Sequence, residues 1–143
     1  MLRSLCAVLI AVILGLTLAR FIEGMGSAAL GLDPGPGPMT DDRSGKTQLS
    51  SGMAGVLLAS WWISAFVASC TSLLIGGRWA PLAWLAATCI SFNAIISLLA
   101  VAAPWWIWPG GVASAAIGGY LGIRAFGGTY AVRRASRKTG VFE

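Results

Sequence analysis

Three polar residues in otherwise apolar segments carry the side chains most able to do chemistry. Arg20 and Glu23 lie three positions apart, a spacing that on a helix brings their charged groups within ion-pair distance. Asn93 places a carboxamide inside another apolar segment. Polar and charged groups at membrane depth are costly to bury and often mark ion or substrate sites. Arg20, Glu23 and Asn93 therefore form the candidate polar or ion site.

Each of these residues has a structural and a functional interpretation. The Arg20–Glu23 pair could anchor the end of a helix at the outer interface, or Glu23 could face the interior as a proton or cation site. Asn93 should hydrogen-bond across to another helix, to a serine of the second segment or to Glu23. It then serves either to join helices or to contact a substrate or pigment.

Other chemistry is limited by what the sequence lacks. There is no histidine, which excludes mechanisms that use an imidazole base or ligand. Cys6, Cys70 and Cys89 have no paired spacing and lie in apolar segments, so we expect small core residues, with neither a disulfide nor a metal site. No nucleophile elbow or phosphate-binding loop is present. We therefore expect no enzyme activity, no catalytic residue, no metal and no cofactor.

The composition indicates a membrane protein. Of 143 residues, 57% are hydrophobic and 10% are charged, and the mean hydropathy is +0.79. So little polar surface cannot cover a water-soluble globule of this size. One membrane domain covering 1–143 is the organisation we expect.

Four apolar segments are separated by glycine, proline and charged residues. They predict an all-α, antiparallel bundle of four transmembrane helices at about 4–30, 52–75, 80–102 and 107–127. Alternating proline and glycine make 31–50 an aqueous loop. The run to Ala19 resembles a signal peptide with a cleavage site at 17–19, but the apolar sequence continues beyond it, which favours an uncleaved first helix.

The basic residues predict the orientation. With both termini in the cytoplasm, the inner side holds Arg3, Arg78, Arg124, Arg133, Arg134, Arg137 and Lys138, and the outer side holds Arg20, Arg43 and Lys46. This bias favours an N-in, C-in protein of a bacterial inner membrane with a periplasmic 31–50 loop. The tail 128–143 is then cytoplasmic. Its cluster at Arg133, Arg134, Arg137 and Lys138 predicts attraction to anionic lipid headgroups and not to nucleic acid.

Small residues and tryptophans mark further surfaces. Ser114, Gly118 and Gly122 repeat every four residues in the fourth segment, and Ser60 and Ser64 do so in the second. Such faces pack helices within one bundle, or form an interface with a second copy or another membrane protein. Trp105, Trp106 and Trp108 lie in the turn before the fourth segment and predict an interfacial aromatic belt. Of the adjacent Trp61 and Trp62, at least one should face the interior.

The order of several short motifs resembles a group of small bacterial four-span membrane proteins without an assigned function. The motifs are Phe21-Ile-Glu23-Gly, Gly31-Leu-Asp-Pro34, Ala59-Ser-Trp-Trp62, Ala65-Phe66, Phe92-Asn93 and Pro104-Trp-Trp-Ile-Trp108. The resemblance covers the chain to about Gly127 and implies the fold and topology. Many members have a histidine after the glutamate and another in the Pro-x-Trp turn. This chain has neither, so the resemblance carries no site over.

Two functions agree with these observations. The first is a non-enzymatic structural or accessory subunit that packs against other membrane components. The second is a small oligomeric transporter or channel-like protein that uses Glu23 and Asn93. The position of Glu23 near the interface and the long outer loop favour the first. A membrane enzyme is a third alternative, which the lack of obvious catalytic groups disfavours.

Overall fold

Four α-helices account for most of the described chain. The computed structural model describes residues 2–30, 51–99 and 103–130, and its helices are α1 (Leu2–Ala29), α2 (Ser51–Gly76), α3 (Ala80–Leu99) and α4 (Ile107–Ala125). Within these residues the only β pairing is an isolated bridge between Trp79 and Thr129. The all-α prediction is confirmed. The 31–50 loop, and the tail from 131 onward, lie outside the described residues.

Three of these helices are long and apolar enough to cross a membrane: Arg3–Ala29, Ser51–Gly76 and Ala80–Leu99. α1 continues without a break through the predicted cleavage site at 17–19. α4 has 19 residues but is less apolar, because it contains Pro109, Arg124 and several glycines. The structure therefore supports an integral membrane protein, and the fourth crossing stays a prediction.

α2 is the central helix of the bundle. It packs against α1, α3 and α4, whereas α1 and α4 do not contact each other in the described residues. The core is built mainly of alanine, which lets the helix backbones approach closely. Its middle layer contains Ala11, Ala65, Ala68, Ala86, Ile90 and Ala115. The flanking layers contain Ala54, Trp61, Ala94, Leu98 and Ile107 on one side and Leu73, Ala80, Ala83 and Ile123 on the other.

Successive helices run in opposite directions, and the hydrogen bonds at one end show this directly. Arg3 on α1 donates from Nε to the carbonyl of Ile75 on α2 at 3.0 Å. After α4, the N–H of Thr129 donates to the carbonyl of Arg78 at 2.8 Å, and the N–H of Ala80 donates to the carbonyl of Thr129 at 2.9 Å. We call this the turn end (Arg3, 76–80 and 126–130). The loop end contains Ala29, Ser51, Leu99 and Ile107.

The α2–α3 turn depends on left-handed backbone at two consecutive residues. Gly77 has φ of 91° and Arg78 has φ of 63°. Both of their N–H groups donate to the carbonyl of Leu73, at 3.1 and 2.9 Å, so the end of α2 is capped by the backbone. Glycine at position 77 adopts this conformation readily, whereas Arg78 is one of the few non-glycine residues found in the left-handed region.

Candidate functional site

Glu23 lies near the loop end of α1 and points toward α2. Its carboxylate oxygen Oε2 accepts a hydrogen bond from Arg20 Nη1 at 3.1 Å, which confirms the ion pair that the spacing predicts. The two side chains differ in environment, because Arg20 is 66% exposed and Glu23 only 12%. The pair therefore joins a mostly buried carboxylate to a guanidinium at the surface.

The second oxygen of Glu23 contacts a serine of the neighbouring helix. Ser60 Oγ on α2 lies 3.4 Å from Glu23 Oε1, and Ser60 is fully buried. The same hydroxyl lies 2.8 Å from the carbonyl of Leu57, one turn back on α2. Sequence reasoning placed Glu23 and Ser60 in different groups, as an ion site and a packing face. The structure brings them together.

The hydroxyl of Ser60 has two possible acceptors, the carbonyl of Leu57 and Oε1 of Glu23. A serine hydroxyl has one proton, so Ser60 donates to only one of them at a time. The distance to Leu57 is the shorter, 2.8 Å against 3.4 Å, which favours the bond within α2. A rotation of this one side chain would give the bond to Glu23 and join α2 to α1.

Two glycines of α1 let it approach α2 closely on either side of Glu23. A Cβ at Gly26 would overlap the methyl groups of Val56. A Cβ at Gly15 would lie 3.1 Å from both Ala68 Cβ and the carbonyl oxygen of Ser64. The close approach at these two levels buries the Glu23 carboxylate between them.

Two buried polar atoms of α2 have no hydrogen-bond partner among the described residues. They are Ser64 Oγ and Trp61 Nε1, and both residues are fully buried. Ser64 lies one turn from Ser60, on the same face of α2. Trp61 packs in the core layer at the loop end, whereas Trp62 is 39% exposed and stacks on Phe66. The expectation that at least one of the two tryptophans faces the interior is confirmed.

Asn93 is half-buried on α3 and does not make the predicted hydrogen bond. Its carboxamide has no hydrogen bond to a described residue, whether a serine of α2 or Glu23. Ser60 of α2 instead contacts Glu23 of α1. Ile90, one turn before Asn93, faces α1, because its Cδ1 would lie 3.1 Å from a Cβ at Gly15. Asn93 therefore lies on the face of α3 that meets α1.

The predicted small-residue faces pack against different partners. A Cβ at Gly118 would overlap the carbonyl oxygen of Trp62, and one at Gly122 would lie 2.8 Å from Ser69 Cβ. Gly118 and Gly122 therefore hold α4 against α2. Ser114 beside them is half-buried and donates to the carbonyl of Gly111 at 2.9 Å. Ser60 and Ser64 do not meet this face, because they lie on the side of α2 that contacts α1.

Aromatic side chains lie at both ends of the bundle. At the loop end, Trp105 is 82% exposed and Trp106 is 44% exposed, while Trp108 packs partly against the core. Sequence reasoning missed the group at the turn end. There Trp79 is exposed, and Trp84 Nε1 donates to the hydroxyl of Tyr130 at 3.0 Å. The sequence did contain a signal for this group. Trp79 and Trp84 lie at the start of the third predicted helix and Tyr130 lies just after the fourth, and an antiparallel bundle brings these two helix ends together.

The cysteine prediction is wrong in part. Cys70 is buried, but Cys6 and Cys89 are exposed on the outer surface of α1 and α3, where an apolar thiol can face lipid as readily as it fills a core. All three are free, and the described residues hold no group of three or more metal-ligating side chains. The basic cluster at Arg133, Arg134, Arg137 and Lys138 lies outside the described residues.

No family model, no curated protein and no solved structure matches this chain.

Proposed function

We propose that this chain is a non-enzymatic, four-span protein of a bacterial inner membrane that acts as a structural or accessory subunit. The proposal includes cytoplasmic termini and a periplasmic 31–50 loop. The observation that carries it is the closed, alanine-rich interior. The buried polar side chains of the described residues are all serines, and the carboxylate of Glu23 is confined to the loop end. Among the described residues, no charged side chain is fully buried in the interior of the bundle.

The surface of α4 supports a fourth crossing. Its glycines, which lower its hydropathy, are largely the residues packed against α2 and α3. The side chains that it exposes before its last turn are mostly apolar, including Val112, Ile117 and Leu121. Its 19 residues span roughly 28 Å, close to the hydrocarbon thickness of about 30 Å. Lipid contacts only the exposed side of a helix. The mean hydropathy over all residues of α4 therefore understates the hydrophobicity of the side that would contact lipid.

The test for an accessory subunit is site-specific photo-cross-linking in the native membrane. A photoreactive residue replaces Ile10 or Leu14 on α1, or Ile117 or Leu121 on α4, all of which are exposed. Because α1 and α4 do not contact each other, these positions sample different sides of the bundle. We expect one side to capture a defined membrane protein and the other to capture lipid. Lipid adducts alone at all four positions would exclude the accessory role.

A second function is favoured by one specific observation, the mostly buried carboxylate of Glu23 in contact with Ser60 of α2. The alternative is a small oligomeric transporter or channel-like protein in which Glu23 takes up a proton or cation and Asn93 contacts the solute. In proteoliposomes under an imposed pH gradient, this function requires proton uptake that is lost in Glu23→Gln. The matched control is Thr17→Ala, because Thr17 is exposed on α1 and bonds to Ile13 of its own helix. If the wild type carries no proton flux, the transporter alternative is wrong.

A further inference from the structure

An apolar groove runs between α1 and α3 at the turn end. Its volume is about 590 Å³, and its walls include Leu5, Leu9 and Ile13 of α1 and Leu82 and Leu85 of α3. Trp79 lines it at the turn, and its polar lining is limited to residues such as Ser4 and Cys89. α1 packs mainly on α2 and has fewer contacts with α3, which leaves room for a groove between α1 and α3.

The length of the groove matches one leaflet of a bilayer. Along α1 its lining extends from Ser4 to Ile13, which is roughly 14 Å at the helical rise per residue. Half of a hydrocarbon core of about 30 Å is roughly 15 Å. An acyl chain that enters from the headgroup level at the turn end would therefore reach about the midplane.

Two exposed arginines at the turn end adjoin groove residues along the chain. Arg3 precedes Ser4 and Arg78 precedes Trp79, and both Ser4 and Trp79 line the groove. Arg3 is fixed by the bond from Nε to the carbonyl of Ile75. Its terminal nitrogens have no partner among the described residues, so their four N–H donors remain for an anion. Both lining helices, α1 and α3, also begin at this end, and helix N-termini carry partial positive charge.

We propose that the α1–α3 groove binds one acyl chain of an anionic phospholipid, with the phosphate of the lipid at Arg3 and Arg78 and with Trp79 at the headgroup boundary. Apolar walls of one-leaflet length select a hydrocarbon chain, and the two arginines select a negative headgroup. The inference rests on the membrane location in the proposed function, and it does not depend on whether the protein is an accessory subunit or a transporter.

The test uses the full-length chain in mild detergent, to which phosphatidylglycerol or phosphatidylcholine with identical acyl chains is added, followed by native mass spectrometry. We expect retention of one phosphatidylglycerol in preference to phosphatidylcholine. Removing the charges in Arg3→Gln or Arg78→Gln should reduce that preference by roughly fivefold for each arginine. Arg124→Gln is the matched control, because Arg124 is exposed in the last turn of α4 and, unlike Arg3 and Arg78, has no groove-lining residue next to it in the chain. Equal retention of the two lipids by the wild type would overturn the proposal.

A second variant tests the groove itself. Leu9→Trp fills it, and should lower retention of both lipids, whereas Ile117→Trp on the exposed face of α4 should not. Unchanged lipid retention in Leu9→Trp would contradict the proposal. A second outcome would also contradict it. If the wild type is a dimer, and Leu9→Trp abolishes the dimer without changing the amount of bound lipid, then the groove holds a second copy of the chain.

The unmodified protein provides an independent measurement. Cys89 lines the groove, whereas Cys6 is exposed on α1 outside it. Bound phosphatidylglycerol should slow the reaction of Cys89 with N-ethylmaleimide and leave that of Cys6 unchanged. Equal rates of Cys89 modification with and without the lipid would contradict the inference, and this result does not depend on the folding of any variant. If the protein still requires detergent for solubility but Cys89 is not protected, the lipid site in the groove is wrong while the membrane location is unaffected.

Discussion

At the scale of single residues, the contact between Glu23 and Ser60 links α1 to α2. It was not predictable from the sequence, because which serine of α2 meets Glu23 depends on the rotation and register of α1. Soluble helices reveal their buried face by alternation of apolar and polar residues. In these helices both faces are apolar, and the register is instead determined by close contacts such as that of Gly26 with Val56. The Arg20–Glu23 pair was predictable because it lies within one turn.

A double-mutant cycle measures this contact. We expect Glu23→Ala and Ser60→Ala to be coupled by about 0.5–2 kcal/mol in the free energy of unfolding, because each removes one side of the same interhelical hydrogen bond. The measurement is reversible unfolding of the purified protein in mixed micelles. In the control cycle, Thr17→Ala replaces Glu23→Ala and should show coupling near zero with Ser60→Ala, because Thr17 is exposed and bonds to Ile13 of its own helix. Additive effects of Glu23→Ala and Ser60→Ala would mean that the contact contributes nothing.

Two serines of α2 should respond to alanine substitution with opposite signs. Ser64 Oγ is buried without a partner among the described residues, whereas Ser69 Oγ donates to the carbonyl of Ala83 on α3 at 3.3 Å. A buried hydroxyl without a partner is destabilising by about 1–3 kcal/mol. Ser64→Ala should therefore stabilise the protein and Ser69→Ala should destabilise it, as measured by the midpoint of thermal unfolding in detergent. Destabilisation by both would show that Ser64 has a partner in solution.

At the scale of elements, the helix bounds were predictable and the helix pairing was not. Apolar runs interrupted by glycine, proline and charge predicted all four helices to within a few residues in the described parts of the chain. The four-residue repeat in α4 correctly indicated a packing face. The repeat could not show that Gly118 contacts the backbone of α2 at Trp62, whereas Ser60 and Ser64 lie on another face of α2. That choice depends on the shapes of three helices together.

Gly118→Ala tests how closely α4 must approach α2. The added Cβ would overlap the Trp62 carbonyl oxygen and lie 3.1 Å from the Phe66 nitrogen. Because both are backbone atoms, the helix itself must shift, and we expect a loss of about 1–3 kcal/mol in the free energy of unfolding. Gly55→Ala is the matched control, since a Cβ at Gly55 of α2 meets nothing within 4 Å. Similar stability of the two variants would contradict the packing described for α4.

At the scale of the whole molecule, the main prediction concerns which sides of the membrane the two ends of α4 occupy. A single cysteine at Trp105→Cys or Thr129→Cys, with the three native cysteines replaced by alanine, is labelled in intact cells with a membrane-impermeant maleimide. If α4 crosses with the termini inside, the first is labelled from outside and the second only after lysis. Labelling of both from the same side would show that α4 does not cross.

The bridge between Thr129 and the α2–α3 turn also restricts how the bundle can move. It joins residues about fifty positions apart, and the Trp84–Tyr130 bond reinforces it. Sliding α4 along its axis by one turn would break all of these bonds together, so a piston motion is disfavoured. A scissor-like opening remains compatible with them, with its pivot at Thr129 and its largest displacement beside Glu23. Any gating of this protein should accordingly widen the half at the loop end while the turn end keeps its shape.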